Sequence, residues 1–170
     1  MQRRHVLSLG VGAALAASFP AIAQQPPRIV TVGSSITEIV YALGAEKLLV
    51  GVDTTSLYPN AARSLPQVGY MRALSAEGVL SLKPTLIIAT TAAGPATVLD
   101  QLKATGIEIM VLPDHYDYDS VITKIAAVGK ATGKVAEADA MIERGRAAMK
   151  TLTDRLATAT SHPRVLFLLG

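Results

Sequence analysis

A tyrosine and an arginine stand two positions apart in the segment Gly69–Leu82, which reads GYMRALSAEGVLSL. Ionised tyrosine is a hard anionic oxygen donor that suits ferric iron, and tyrosine is one of the axial ligands that haem iron accepts. Free tyrosine titrates near pH ~10, so iron binding at neutral pH requires that the phenolate be stabilised. A nearby guanidinium supplies that stabilisation, because an opposite charge favours the ionised form. Tyr70 and Arg72 are therefore candidate iron-site residues.

The residues after Arg72 are typical of a short helix that fixes the Tyr70 loop. Ser75 is the predicted N-cap, Glu77 is an acid close to the positive end of the helix, and Pro84 closes the segment. By spacing alone, a tyrosine in such a loop packs at the rim of a site more often than it binds a ligand. An arginine there is usually a solvated surface charge.

The pattern Gly-Tyr-x-Arg-x-Leu-Ser-Ala-Glu-Gly at residues 69–78 resembles that of the periplasmic haem-binding proteins of bacterial ABC-type haem importers. These are class III periplasmic substrate-binding proteins, and the resemblance extends over residues 28–170. It implies two Rossmann-like lobes joined by one long helix, with the ligand in the cleft between them. A protein of this kind binds and transports its ligand and is not an enzyme.

The same resemblance implies particular roles and partners. Tyr70 becomes the ligand of the iron, and Arg72 becomes a partner of the phenolate or a contact for a haem propionate. The transported ligand is ferric haem (haem b), which an inner-membrane ABC transporter permease receives, and an outer-membrane haem receptor system is a further partner. Binding proteins for cobalamin or a ferric siderophore share the fold and are the first alternative. They typically lack the Tyr-x-Arg arrangement.

Hydrophobic patterning independently predicts an α/β fold with a parallel sheet and flanking helices. Two β-α-β units are expected, because buried-type strands at 29–32, 48–52, 85–89 and 107–112 alternate with helical periodicity. A capping box at Ser35–Glu38 is expected to start the first helix, and Pro95 the second. A helix follows over Val121–Thr132, and a long helix runs from Val135 to about Ala157. Arg164–Gly170 is apolar and predicts the first strand of a second lobe, so the chain is expected to be part of a longer protein.

The N-terminus has the features of a secretory signal peptide. Arg3 and Arg4 precede an apolar stretch and the motif Ala21-Ile22-Ala23, which predicts cleavage before Gln24 and export to the periplasm. Removal of residues 1–23 takes away two arginines and no acid, which lowers the formal net charge from +3 to +1. No basic run remains for a row of phosphates, so nucleic acid is not an expected partner. Cysteine is absent from the sequence, which excludes thiolate metal sites and disulfides.

The predicted organisation is a signal peptide at 1–23, an α/β ligand-binding lobe at 24–133, a linking helix at 134–160 and the start of a C-terminal lobe at 161–170. Ligands of open α/β sheets bind at the carboxyl ends of the strands. The four loops there are expected at 33–35, 53–56, 90–94 and 114–118, with the Tyr70 loop beside them. Tyr41 and Tyr58 are interpreted as packing residues, and His162 as a helix-terminus or turn residue.

The segment Asp114–Tyr118 places five possible metal-binding side chains in one loop. Consecutive residues rarely converge on one centre, so helix capping by Asp117 or Asp119 and aromatic packing are the preferred interpretation. His115 is kept as an alternative iron ligand. An exported metal-dependent enzyme that uses this segment is the second alternative function, although the sequence contains no recognisable nucleophile or paired carboxylates.

Overall fold

A computed structural model describes residues 26–161 and 163–168 of the chain. Its centre is a four-stranded parallel sheet of strand order β2-β1-β5-β6, and β3 and β4 form a separate antiparallel hairpin. The predicted signal segment and His162 lie outside the described residues. The strands are β1 (Ile29–Val32), β2 (Leu49–Val52), β3 (Gly69–Tyr70), β4 (Ala73–Leu74), β5 (Leu86–Thr90) and β6 (Glu108–Leu112).

Helices cover both faces of the sheet, which confirms the predicted α/β class. They are α1 (Ser34–Ala42), α2 (Ala76–Ser81), α3 (Ala96–Ala104), α4 (Tyr118–Thr132) and α5 (Val135–Ala157). Successive side chains of a strand point to opposite faces, so Ile29 packs in the core under α1, α4 and α5, whereas Val30 packs in the core under α2 and α3. Burial on both faces explains why β1, β2 and β5 are mostly apolar.

The first β-α-β unit forms as predicted, but its helix begins in a different way. The residue at the N-cap position of α1 is Gly33, with φ of +114°, and no side-chain hydrogen bond caps this helix. The expected capping box at Ser35–Glu38 is therefore wrong. Ser35 already lies inside the helix, and the Gly33 N–H donates to Asp53 from the loop after β2.

Helix α5 matches the predicted long helix, and its 23 residues extend over about 35 Å. The strand predicted at Arg164–Gly170 does not form over residues 163–168, where Val165–Leu168 are exposed. A β-strand needs a hydrogen-bonded neighbour, and the described residues place none beside this segment. None of the helices that the structure describes has the length and hydropathy to cross a bilayer.

Candidate functional site

The carboxyl ends of the four parallel strands meet at one edge of the sheet. The loops that leave this edge begin at Gly33, Asp53, Thr91 and Pro113. The crossovers leave β1 and β5 towards opposite sides, so the edge between them is the switch point at which open α/β sheets bind ligands. Thr90, at the end of β5, carries a buried hydroxyl that has no hydrogen-bond partner within the described structure.

Tyr70 lies on the β3–β4 hairpin, which is fastened to this edge by backbone hydrogen bonds. Its turn consists of Met71 and Arg72, between the paired residues Tyr70 and Ala73. On one side, the Thr54 N–H donates to the Gly69 carbonyl at 2.9 Å. On the other side, the Gly94 N–H donates to the Met71 carbonyl at 2.9 Å. The loops after β2 and β5 therefore hold the hairpin between them, and the sequence-predicted loop is a clamped two-strand turn.

Local sequence explains how this hairpin closes. Gly69 has φ of +101°, and a Cβ there would lie 3.0 Å from the Ala73 carbonyl oxygen, so only glycine fits without strain. Ser75 then caps α2 by accepting a hydrogen bond from the Gly78 N–H at 3.1 Å. This confirms the predicted N-cap. Glu77 lies in the first turn of α2, where the positive helix end favours an acid.

The Tyr70 side chain is 46% exposed, and Arg72 is exposed as well. Throughout residues 26–161 and 163–168, no hydrogen bond or ion pair engages the Tyr70 hydroxyl or the Arg72 guanidinium. The structure brings the two candidate residues to one turn but does not join them to each other. A phenol oxygen and a guanidinium are thus both available to a ligand at this edge.

Asp53 orders the loop after β2 through hydrogen bonds, and the sequence analysis did not identify it as a site residue. The carboxylate is fully buried and accepts four hydrogen bonds. The Gly33 N–H and the Ser56 hydroxyl donate to Oδ1 at 2.9 and 2.8 Å, and the Thr55 N–H and hydroxyl donate to Oδ2 at 2.9 and 2.5 Å. Asp53 could have been identified from the sequence, because it directly follows the apolar strand β2 and precedes three hydroxyl residues that favour local turns.

A chain of buried hydroxyls extends from the Asp53 loop into α1. Thr37 lies 2.7 Å from the Ser56 hydroxyl and 2.7 Å from the Thr31 hydroxyl. The loop that Asp53 orders also contains Thr54, whose N–H donates to the carbonyl of Gly69, next to Tyr70. Asp53 therefore links the start of α1 to the position of the Tyr70 hairpin.

The five side chains of Asp114–Tyr118 do not converge on a metal. Asp114 forms an ion pair with the buried Lys124 of α4. Asp117 caps α4 by accepting a hydrogen bond from the Ser120 N–H at 2.7 Å, which confirms one of the predicted caps. The His115 side chain is exposed. Among the residues the structure describes, no group of three His, Asp or Glu side chains is placed to hold a metal ion.

Replacing Asp114 is expected to destabilise the protein more than replacing its partner Lys124. The Lys124 side chain is 7% exposed and that of Asp114 is 27% exposed. We expect Asp114→Ala to lower the free energy of unfolding by about 3 kcal/mol, because it leaves a buried ammonium without its partner. Lys124→Met keeps the length of the chain, removes the buried charge and leaves an aspartate that water reaches, so the expected cost is about 1 kcal/mol or less. Urea unfolding measures the free energy of unfolding of both variants, provided that the m-value is unchanged. A larger loss in Lys124→Met than in Asp114→Ala would contradict this account.

A groove of about 300 Å³ lies apart from Tyr70, between α1, α4, α5 and Tyr58. Its lining residues are Ser35, Glu38, Ile39, Ala42, Tyr58, Val121, Lys124, Ile125 and Met141. Tyr58 is 68% exposed, so its predicted packing role is wrong. Tyr41 does pack against the core, as predicted, and burial together with Glu46 raises the pKa of its hydroxyl.

Several known proteins are similar to this chain in structure or sequence. A periplasmic heme-binding protein from Pseudomonas aeruginosa is similar in structure, with a TM-score of 0.75 and 40% identity, over 78% of this chain and 48% of that one. The apo form of the periplasmic heme-binding protein RhuT from Roseiflexus sp. RS-1 has a TM-score of 0.76 and 37% identity, over 82% of this chain and 53% of that one. A vitamin B12-binding protein of Yersinia pestis (strain Pestoides F) is 34% identical over 146 residues, which are 86% of this chain and 51% of that protein.

The chain therefore spans about half the length of the relatives it matches. The family described as "Periplasmic binding protein" matches residues 29–170, which include every strand and helix described above. The similar solved structures share the parallel sheet with flanking helices. The chain belongs to the periplasmic binding protein family, the substrate-binding proteins of ABC transporters.

Proposed function

We propose that the chain is the tyrosine-bearing lobe of a binding protein that captures ferric haem in the periplasm and delivers it to an inner-membrane ABC transporter. The observation that carries the proposal is Tyr70: a half-exposed phenol with no partner in the described structure, on a clamped hairpin at the carboxyl edge of the sheet. The heme-binding proteins of similar structure, at 37 and 40% identity, support haem as the ligand.

In this function the ligand is cargo, and none of its bonds is made or broken. Tyr70, as phenolate, would bind the ferric iron through its oxygen, a hard donor for a hard cation. Arg72 provides a positive charge next to the phenolate or to a haem carboxylate. The backbone clamps from Thr54 and Gly94 fix the direction of approach, so little ordering of the protein is required on binding. A second lobe, the transporter permease and an outer-membrane haem receptor complete the proposed pathway.

A cobalamin-binding function is the second candidate, and the relative from Yersinia pestis favours it. The two ligands make different demands on Tyr70. A phenolate bond to ferric iron produces a charge-transfer absorption, whereas a corrin held by packing contacts does not need the phenol oxygen. The Tyr70–Arg72 turn therefore favours haem.

An absorption titration tests the proposal. The protein is titrated separately with ferric haem and with cyanocobalamin, and bound ligand is separated from free ligand by gel filtration. We expect retention of haem with a high-spin tyrosinate-type spectrum, and no retention of cobalamin. Retention of cobalamin without haem would establish the second candidate instead.

A further inference from the structure

Tyr116 is a tyrosine that the fold leaves without any packing role. It lies in the loop between β6 and α4, and its side chain is 95% exposed. Aromatic rings of this size usually bury most of their surface, since they are large hydrophobic groups. Aromatic packing, expected from the sequence, therefore does not describe this residue, although the neighbouring Tyr118 does pack, with its hydroxyl directed at Gly145 of α5.

The backbone at Tyr116 is also unusual, with φ of +55°. A left-handed conformation is uncommon for any residue other than glycine, and for a bulky one it marks a turn under strain. Such strain persists only where the surroundings over-determine the conformation, and it concentrates at ligand-binding sites. The protein thus holds an exposed aromatic ring in a costly conformation.

The surroundings that impose this conformation are visible on both sides of Tyr116. The His115 N–H donates to the Ser120 hydroxyl at 3.3 Å, and that hydroxyl donates to the Pro113 carbonyl at 3.1 Å. On the other side, Asp117 caps α4. Every neighbour of Tyr116 within the loop has a structural partner, and the ring stands at the apex that they define.

The apex belongs to the same edge of the sheet as Tyr70. The Thr91 N–H donates to the Leu112 carbonyl at 3.2 Å, which joins the end of β6 to the loop after β5. That same loop holds the Tyr70 hairpin through Gly94. Adjacent strands lie ~5 Å apart, so the two tyrosines flank one short loop on the ligand side of the sheet.

We propose that Tyr116 is a second ligand contact, whose ring packs against the conjugated macrocycle of the molecule that Tyr70 binds through its metal. This inference rests on the proposed function, and it adds a contact for the flat, extended π-system of the ligand. The exposed ring is explained by burial under the ligand, and the strained backbone by a ring position set before binding. The two tyrosines have separate tasks, since one bonds to the metal and the other packs against the ring system.

The test uses two probes that separate these tasks. Ferric protoporphyrin IX offers a metal to Tyr70 and a ring system to Tyr116. Metal-free protoporphyrin IX offers only the ring system. We expect Tyr116→Ala to weaken the binding of both porphyrins by about tenfold, which corresponds to ~1.4 kcal/mol. Tyr116→Phe keeps the ring and should bind both porphyrins as the wild type does. Tyr70→Phe should weaken the ferric porphyrin far more than the metal-free one.

Two controls make the result specific. Tyr58→Ala removes another exposed tyrosine, from the groove beside α1, and should leave both affinities unchanged. Tyr116→Gly removes the same ring as Tyr116→Ala but tolerates the positive φ, so it should raise the midpoint of unfolding above that of Tyr116→Ala without restoring affinity.

The outcomes distinguish this inference from the proposed function. Unchanged affinity of Tyr116→Ala for both porphyrins, together with a Tyr70-dependent ferric spectrum, would overturn the role of Tyr116 alone. A wild-type protein that binds the metal-free porphyrin through Tyr116 but shows no tyrosinate spectrum with ferric porphyrin would overturn the role of Tyr70 alone. Failure of the wild type to bind either porphyrin would overturn both.

Discussion

Tyr70→Phe is expected to abolish the tyrosinate-to-iron absorption of the ferric haem complex and to weaken haem binding strongly. The substitution deletes one oxygen and keeps the ring, so the packing of the half-exposed side chain is preserved. A near-isosteric change of this kind should alter the free energy of unfolding by no more than ~1 kcal/mol. The proposed bond to iron, by contrast, would be lost entirely. Absorption spectra and a haem titration of the purified variant measure both effects.

Two companion variants make this prediction decisive. Arg72→Ala should change the spectrum in the same direction but less, since it removes the positive charge proposed to lie beside the iron-bound oxygen or a haem carboxylate. His115→Ala should leave the spectrum unchanged, because the His115 loop is engaged in capping α4 and pairing with Lys124. An unaltered spectrum in Tyr70→Phe together with its loss in His115→Ala would transfer the iron to the loop after β6 and leave Tyr70 as a rim residue.

Asp53→Ala is expected to cause the largest loss of stability, about 3–4 kcal/mol. Removal of the carboxylate leaves two buried donors without an acceptor, the Gly33 N–H and the Ser56 hydroxyl, and each such group costs about 1–3 kcal/mol. A domain of this size has a total stability of only about 5–15 kcal/mol. Urea unfolding followed by circular dichroism gives the change directly.

The consequences of Asp53→Ala should also reach the ligand site. The loop after β2 carries Thr54, whose N–H fixes the Gly69 carbonyl, so a disordered loop releases one side of the Tyr70 hairpin. We expect weaker haem binding in the fraction that remains folded. Asp100→Ala, at an exposed position on α3, is the matched control and should change stability by less than ~0.5 kcal/mol. If Asp53→Ala were as stable as this control, the buried network would not have the role assigned to it.

Local patterns in the sequence were sufficient for most of the secondary structure. The strand Ile29–Val32 and the helix Val135–Ala157 have the predicted bounds, and Ser75 is the predicted cap of α2. These features depend on residues close in sequence: apolar runs buried on two faces, helical periodicity and a serine that reaches the N–H three residues ahead. The Tyr70–Arg72 turn was likewise identifiable from its own sequence, although its role as an iron site stays a prediction.

Other features of the protein depend on contacts between groups that are distant in sequence, and only the tertiary structure shows them. The N-cap position of α1 is Gly33 instead of the predicted Ser35, and the Gly33 N–H donates to Asp53, twenty residues away. The Tyr70 hairpin is oriented by Thr54 and Gly94, which belong to loops after two different strands. Buried polar groups must find partners wherever the fold supplies them, and a linear pattern does not contain that information. The sequence alone therefore indicated which side chains have the chemistry, and the three-dimensional arrangement determined what holds them in place.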